Sequence, residues 1–294
     1  MATQPFDDRD GVIWYDGSLV PWRDAKLHVL SHGLHYASCV FEGERVYGGT
    51  IFKLTEHTER LFTSARALGF TLPFTVAELD DACRLVIKEL DIADGYVRPV
   101  AWRGSEMMGV SAQQTKIHVA IAAWQWPSYF SKEARLKGLR LTISNWARPA
   151  PNTAPTQTKA TGLYMICTLS KHAAEQAGYD DALMLDWRGR IAEATGANIF
   201  FVKEGVLHTP TPDCFLDGIT RRSVIGLAKA RGVEVIERAI QPEEMADFEE
   251  AFLTGTAAEV TPIREIGEFR FTVGDLTRTL MEDYDRLVRG GKGA

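Results

Sequence analysis

Asp181-Ala-Leu-Met-Leu-Asp186, Trp187-Arg-Gly-Arg190, Ile191-Ala-Glu-Ala-Thr-Gly-Ala-Asn198, Ile199-Phe-Phe-Val202, Lys203-Glu-Gly205 and Val206-Leu-His-Thr209 follow one another without a break in a chain of 294 residues. Apolar runs of four or five residues alternate with short polar or glycine-bearing turns, the pattern of successive strands rather than of helices. Inside the second run stands Glu193, with alanines on both sides. A carboxylate on an apolar strand is costly to bury alone, so it needs a cationic partner. That partner is either a protonated heterocycle of a ligand or another side chain in a structural ion pair.

Reading outward, helical and strand patterns mix. Toward the C-terminus, Thr220 to Arg231 reads as a helix preceded by Asp217-Gly218, and Glu250 to Thr254 as a strand entering Gly255-Thr-Ala-Ala258. Val273 to Val288 reads as the last helix. Toward the N-terminus, Leu163 to Ala177 reads as a helix and Leu139 to Asn145 as a strand. Further back, Thr55 to Leu68 is helical, and Thr75-x-x-Glu78 forms a capping box ahead of Leu79, Cys83, Val86 and Leu90. Tyr96 to Val100 and Lys116 to Trp124 read as strands. Asp16-Gly17 between Val12-Ile-Trp-Tyr15 and Ser18-Leu-Val-Pro-Trp22 is a two-residue hairpin signal. The class is therefore α+β (mixed α/β). The chain is long enough for two domains, and the texture places them at 1–127 and 139–294 with an interdomain loop over 128–138.

Composition narrows the function. Hydrophobic residues make up 45% and charged residues 24%, with a net charge of −6. The basic residues are dispersed, which argues against nucleic acid as a partner. The first residues hold no apolar h-region and no run approaches a membrane span, so a cytoplasmic protein is expected. Cys39, Cys83, Cys167 and Cys214 are far apart and without a CxxC pair, which fits reduced thiols. There is no GxxxxGK[ST], GxGxxG or G-x-S-x-G motif.

Candidate chemistry gathers at a few places. Lys159 lies among Thr158, Ala160 and Thr161, with Tyr164 five residues on. A lysine kept from bulk water is a candidate amine nucleophile toward carbonyls or pyridoxal phosphate; otherwise it is a solvated surface group. Phe215-Leu-Asp-Gly-Ile-Thr220 enters a helix, and Gly255-Thr-Ala-Ala258 follows a strand. Both could present backbone N–H groups to an anion, or be ordinary glycine turns. Arg60 offers a planar fork to phosphate, or a solvated helix arginine. His28, His32 and His35 fall at i, i+4 and i+7, a helical face that could hold a metal, but no acid or cysteine completes the set. Histidines lining a cleft or packing against a partner chain are the better reading, and no metal is expected.

Joined in order, these pieces resemble the branched-chain amino-acid aminotransferases, members of the fold-type IV group of pyridoxal 5′-phosphate (PLP) enzymes. The resemblance rests on Tyr36-x4-Phe41-Glu42-Gly43, the Arg60 helix, Tyr96-Val-Arg98-Pro, Met108-Gly-Val110 and Pro151-Asn-Thr near Lys159. It continues through Glu193-x4-Asn198, Gly218-Ile-Thr-Arg221 and Gly255-Thr-Ala-Ala-Glu259-Val-Thr-Pro262, and departs from bacterial relatives at Thr161 and Leu163. It implies a two-domain fold, with a smaller N-terminal α/β domain and a larger C-terminal pseudo-barrel domain that binds the cofactor. Lys159 is then the Schiff-base lysine and proton carrier, Glu193 the partner of the pyridine nitrogen, and Tyr164 the partner of the ring 3′ oxygen. Arg60, Gly218, Ile219, Thr220 and Thr256 take the 5′-phosphate, while Leu216, Gly196 and Asn198 border the ring. Tyr96, Arg98, Arg45, Thr256 and Ala257 form the substrate carboxylate side. Phe41, Tyr164, Trp126 and Tyr129 form an apolar side pocket, with Tyr36 and Val110 from a neighbouring subunit.

The implied reaction moves the amino group of leucine, isoleucine or valine to 2-oxoglutarate by a ping-pong route. The implied assembly is a homodimer with shared sites, or a hexamer built from dimers. Other fold-type IV activities, (R)-selective amine or D-amino-acid transamination, or a branched-chain type with amine side activity, are the alternative, and a histidine metalloenzyme or a non-catalytic binding module stand further off.

Overall fold

The computed structural model describes residues 4–126 and 136–290, and the chain divides into two compact units. One comprises residues 1–127 with 158–162, and the other 128–157 with 163–294. The short segment around Lys159 thus groups with the N-terminal unit, although the residues on either side of it belong to the other.

The first unit is built on seven strands: β1 (Val12–Tyr15), β2 (Ser18–Pro21), β3 (Cys39–Phe41), β4 (Glu44–Tyr47), β5 (Thr50–Ile51), β6 (Gly95–Arg103) and β7 (Ile117–Gln125). They pair in the order β2-β1-β7-β6-β4-β5, with β3 also on β6. Every pairing is antiparallel. The β1–β2 turn has positive φ at both Asp16 (46°) and Gly17 (101°), which suits a primed hairpin and explains the Asp-Gly signal.

Three helices accompany this sheet: α1 (His32–Tyr36), α2 (Leu54–Ala67) and α3 (Val76–Glu89). The capping box of α3 is present, with Glu78 N–H donating to Thr75 Oγ1 (3.2 Å) and Thr75 N–H to the Glu78 carboxylate (2.7 Å). The histidine stretch departs from its helical reading. Only the five residues of α1 are helical, so His28 lies outside and the supposed face does not exist.

The second unit carries β8 (Leu139–Ile143), β9 (Asp181–Leu185), β10 (Ile191–Ala194), β11 (Asn198–Lys203), β12 (Val206–Pro210), β13 (Val235–Arg238), β14 (Glu250–Gly255), β15 (Glu259–Ile266) and β16 (Phe269–Arg270). The order β10-β9-β8-β15-β14-β11 closes through a β10–β11 pairing, which makes a six-stranded barrel. Closure leaves those strands no free edge. Ile199, Phe201, Ala251, Leu253, Leu141 and Leu183 join one buried cluster. Phe200 and Phe252, the intervening residues, stack on the opposite face at 5.1 Å. The strand period of two thus sorts the Ile199-Phe-Phe201 run between two cores.

The helices of this unit are α4 (Met165–Gln176), α5 (Ile219–Ala230) and α6 (Asp275–Val288). Helix α4 begins later than the sequence pattern suggests, because Thr161–Tyr164 forms a 3-10 turn first. Among the described residues no helix is long and apolar enough to cross a membrane.

Candidate active site

In the second unit the site is organised by one amide. Glu193 and Asn198 face each other across the β10–β11 hairpin as register partners. Asn198 Nδ2 donates to Glu193 Oε2 (3.1 Å) and to the Leu216 carbonyl (3.0 Å), and its Oδ1 accepts from the Gly218 N–H (3.2 Å). Four residues singled out in the sequence, Glu193, Asn198, Leu216 and Gly218, are thereby tied into one network.

Gly218 is there for space. A Cβ at this position would lie 2.3 Å from Asn198 Oδ1. Its φ of −66° and ψ of 140° are open to any residue, so close approach and not a special backbone angle selects glycine. It caps helix α5, whose first turn has no acidic residue and no side-chain cap. A helix start of that kind leaves backbone donors and the positive end of the macrodipole for an anion. Ile219 and Thr220, the first residues of the helix, are buried. Thr256 and Ala257 occupy the turn between β14 and β15, and Gly196 the turn between β10 and β11.

Glu193 is 9% exposed and has an arginine beside it that the sequence did not single out. Arg148 Nε lies 3.3 Å from Glu193 Oε1, at ion-pair distance but without hydrogen-bond alignment. Arg148 Nη1 donates to the Leu163 carbonyl and to Cys167 Sγ, both at 3.4 Å. Burial alone would lower the Arg148 pKa, but the Glu193 charge overrides it and the net shift is upward. Burial pushes the Cys167 thiol up to about 11, so it packs as a neutral group. Nothing in Trp146-Ala-Arg-Pro149 marks Arg148; its importance appears only when the fold brings it under β10. Tyr164 ends the 3-10 turn and caps α4.

The first unit gathers a second group of candidates. Lys159 Nζ lies 4.7 Å above the Phe41 ring centre, and the Arg98 guanidinium 4.8 Å from it. The Lys159 backbone is fixed on both sides: its carbonyl accepts from Phe41 N–H (3.1 Å) and its N–H donates to Ser64 Oγ (3.0 Å). Arg45 and Tyr96 are register partners across β4 and β6. Arg98 Nη2 donates to the Tyr96 hydroxyl (3.3 Å), and the Trp126 ring packs 4.9 Å from that of Tyr96. Nε and Nη1 of Arg45 and Nε of Arg98 are buried without hydrogen-bond partners. Buried guanidinium donors left unmatched are costly, and a bound carboxylate would satisfy them.

Arg60 is 14% exposed at the side chain and grips Glu42 with two hydrogen bonds. Tyr36 and Val110 are exposed at 45% and 84%. Tyr36 OH donates to the Met108 carbonyl (3.1 Å) and its ring stacks on His32. Tyr129 lies outside the described residues.

The histidines are engaged separately. His32 contacts Ser38 Oγ and the Gly109 carbonyl, His35 the Val29 carbonyl, and His28 Nδ1 accepts from Leu30 N–H. Among the described residues one other group, Asp186, Asp213 and Cys214, clusters potential metal-binding atoms. Arg188 already pairs with both carboxylates there, at 2.6 and 2.7 Å.

A phosphorylated, nitrogen-heterocyclic aldehyde fits this donor set. The first unit holds an amine at Lys159, and the second a buried carboxylate at Glu193 and a helix start at Gly218 without a side-chain cap. Residues 39–266 match the amino-transferase class IV family, and the chain belongs to that family of enzymes. The chain is 43% identical to the branched-chain-amino-acid aminotransferase of Pseudomonas aeruginosa, over 96% of this chain and 94% of the relative. Its fold is similar to that of the T.th. branched-chain amino acid aminotransferase solved with pyridoxamine 5′-phosphate. There the TM-score is 0.93 and the identity 40%, covering 96% of this chain and 95% of the other. The same T.th. enzyme complexed with N-(5′-phosphopyridoxyl)-L-glutamate superposes with a TM-score of 0.91 at 39% identity, covering 96% and 95%. The architecture is thus that of the fold-type IV aminotransferases.

Proposed function

We propose that this chain is a PLP-dependent transaminase that exchanges amino groups between branched-chain L-amino acids and 2-oxoglutarate in a ping-pong cycle. The buried Glu193 carboxylate, held between Arg148 and Asn198, is the observation that carries the cofactor assignment. An anion fixed in that way is suited to a pyridinium nitrogen. Similarity to branched-chain enzymes over nearly the whole chain carries the substrate class.

When bound, PLP supplies an aldehyde that takes up the amino group and a ring that withdraws electrons from the substrate Cα. The protein does the rest. Lys159 is the covalent anchor, and its amine then moves the proton at the substrate Cα. Tyr164 donates to the ring 3′ oxygen, Glu193 keeps the ring nitrogen protonated, and Leu216, Gly196 and Asn198 confine the ring. Arg60, Gly218, Ile219, Thr220 and Thr256 hold the phosphate. Arg45, Tyr96 and Arg98 receive carboxylates with the buried donors described above, and Thr256 and Ala257 contribute their turn. Phe41, Trp126, Tyr129 and Tyr164 favour branched aliphatic side chains through apolar burial, about 0.8 kcal/mol per CH₂.

The chain acts as a homodimer in this reading. Leu27, Val29, Leu30, Leu34, Tyr36 and Val110 expose an apolar surface in the first unit, which suits a partner copy whose site Tyr36 and Val110 would complete. Absorbance of the loaded dimer is then followed on adding L-leucine, D-alanine or (R)-1-phenylethylamine. A fast spectral change with L-leucine is expected. A change with D-alanine alone, or a protein that sediments as a monomer, would contradict the reading.

A further inference from the structure

Arg60 is aimed by its own carboxylate. Glu42 is fully buried between β3 and β4, and its backbone N–H donates to the Pro99 carbonyl (2.8 Å), which fixes the chain at that point. Oε1 accepts from Arg60 Nε (2.7 Å), and Oε2 from Arg60 Nη2 (2.8 Å) and His57 Nδ1 (2.7 Å). These bonds occupy the lateral fork of the guanidinium, Nε and Nη2. Because the group is planar, its other fork, Nη1 and Nη2, points away from Glu42.

The surroundings keep the negative charge at this one carboxyl. Burial opposes ionisation of Glu42, but Arg60 and the hydrogen bonds from Arg60 and His57 overcome it and hold the group well below the usual carboxylate range. Glu44, two residues on, is also fully buried, and neither carboxyl oxygen has a hydrogen-bond partner. Burial first, and then the neighbouring Glu42 and Asp80, push Glu44 well up, so it remains protonated. His57 is held down by burial, so it is a neutral donor through Nδ1 rather than a competing cation.

His57, Arg60 and Ser64 share one face of α2 at i, i+3 and i+7. Ser64 receives the Lys159 backbone N–H, so the helix that carries the guanidinium also fixes the backbone of the amine.

We infer that Glu42, supported by His57, is a positioning residue that locks Arg60 with its end-on fork directed at the cofactor phosphate. The inference rests on the proposed PLP reading, in which Arg60 takes that phosphate. A carboxylate that orients the arginine without touching the ligand affects recognition of phosphate and leaves recognition of the ring unchanged.

The experiment titrates the chain, freed of cofactor, with pyridoxal 5′-phosphate and with pyridoxal, in wild type, Glu42→Gln and Glu42→Asp. Wild type prefers the phosphorylated form strongly. Glu42→Gln lowers that preference about tenfold or more while binding pyridoxal as before; Glu42→Asp, which keeps the charge one methylene back, falls between. An unchanged preference, or an equal loss of both affinities, in whichever variant folds overturns the inference. A wild-type chain with no preference for the phosphate overturns the PLP reading itself, and the inference with it.

Discussion

At the residue scale, both polar atoms of the Asn198 amide have protein partners in the second unit. Gly218→Ala would push a methyl group to 2.3 Å from Asn198 Oδ1. The amide must then turn away, which strands the Gly218 N–H and loosens Glu193. A loss of about 1–3 kcal/mol is expected by chemical denaturation, together with weaker cofactor binding. A variant with unchanged midpoint and affinity would show that the amide does not hold this corner together. Glu193, Asn198, Leu216 and Gly218 are all legible in the sequence as separate motifs. Their common hydrogen-bond centre is not, because register across a hairpin is a property of pairing. Arg148 is invisible for a related reason: a lone arginine between alanine and proline shows no pattern until the barrel closes around it.

At the element scale, strand β4 carries a liability. Glu44 is buried and protonated, whereas the unfolded chain ionises it freely. A carboxyl raised in the folded state favours folding fully below its unfolded pKa, and that contribution is lost as pH rises. Glu44→Gln removes the titration and keeps the shape. Relative to the variant, the wild type should therefore lose stability as pH rises above about 4, as urea midpoints at several pH values would show. A constant difference across that range would mean that Glu44 is not the titrating group. The capping box at Thr75 and the Asp16-Gly17 hairpin are readable because both signals are local. The five-residue α1 is easily overread as a longer helix, since the His28–His35 spacing imitates a period that loop hydrogen bonds of His28 and His35 actually satisfy. Strands β3, β4, β5, β13, β15 and β16 carry too little pattern to be read individually; two of them hold only two residues.

At the scale of the whole molecule, membership of the class IV aminotransferases follows from a match spanning residues 39–266. The six-stranded barrel accounts for how strands distant in sequence come to carry Glu193 and the Gly255–Ala258 turn in one unit. Lys159 belongs to the other unit, with Phe41, Ser64 and Arg60. The proposed chemistry depends most on the lysine. Reduction of the PLP-loaded chain with borohydride, followed by peptide mapping, tests this directly. The account predicts a single pyridoxyl adduct on Lys159, absent in Lys159→Ala. An adduct on a different lysine, or a chain that binds no reducible cofactor, would contradict it.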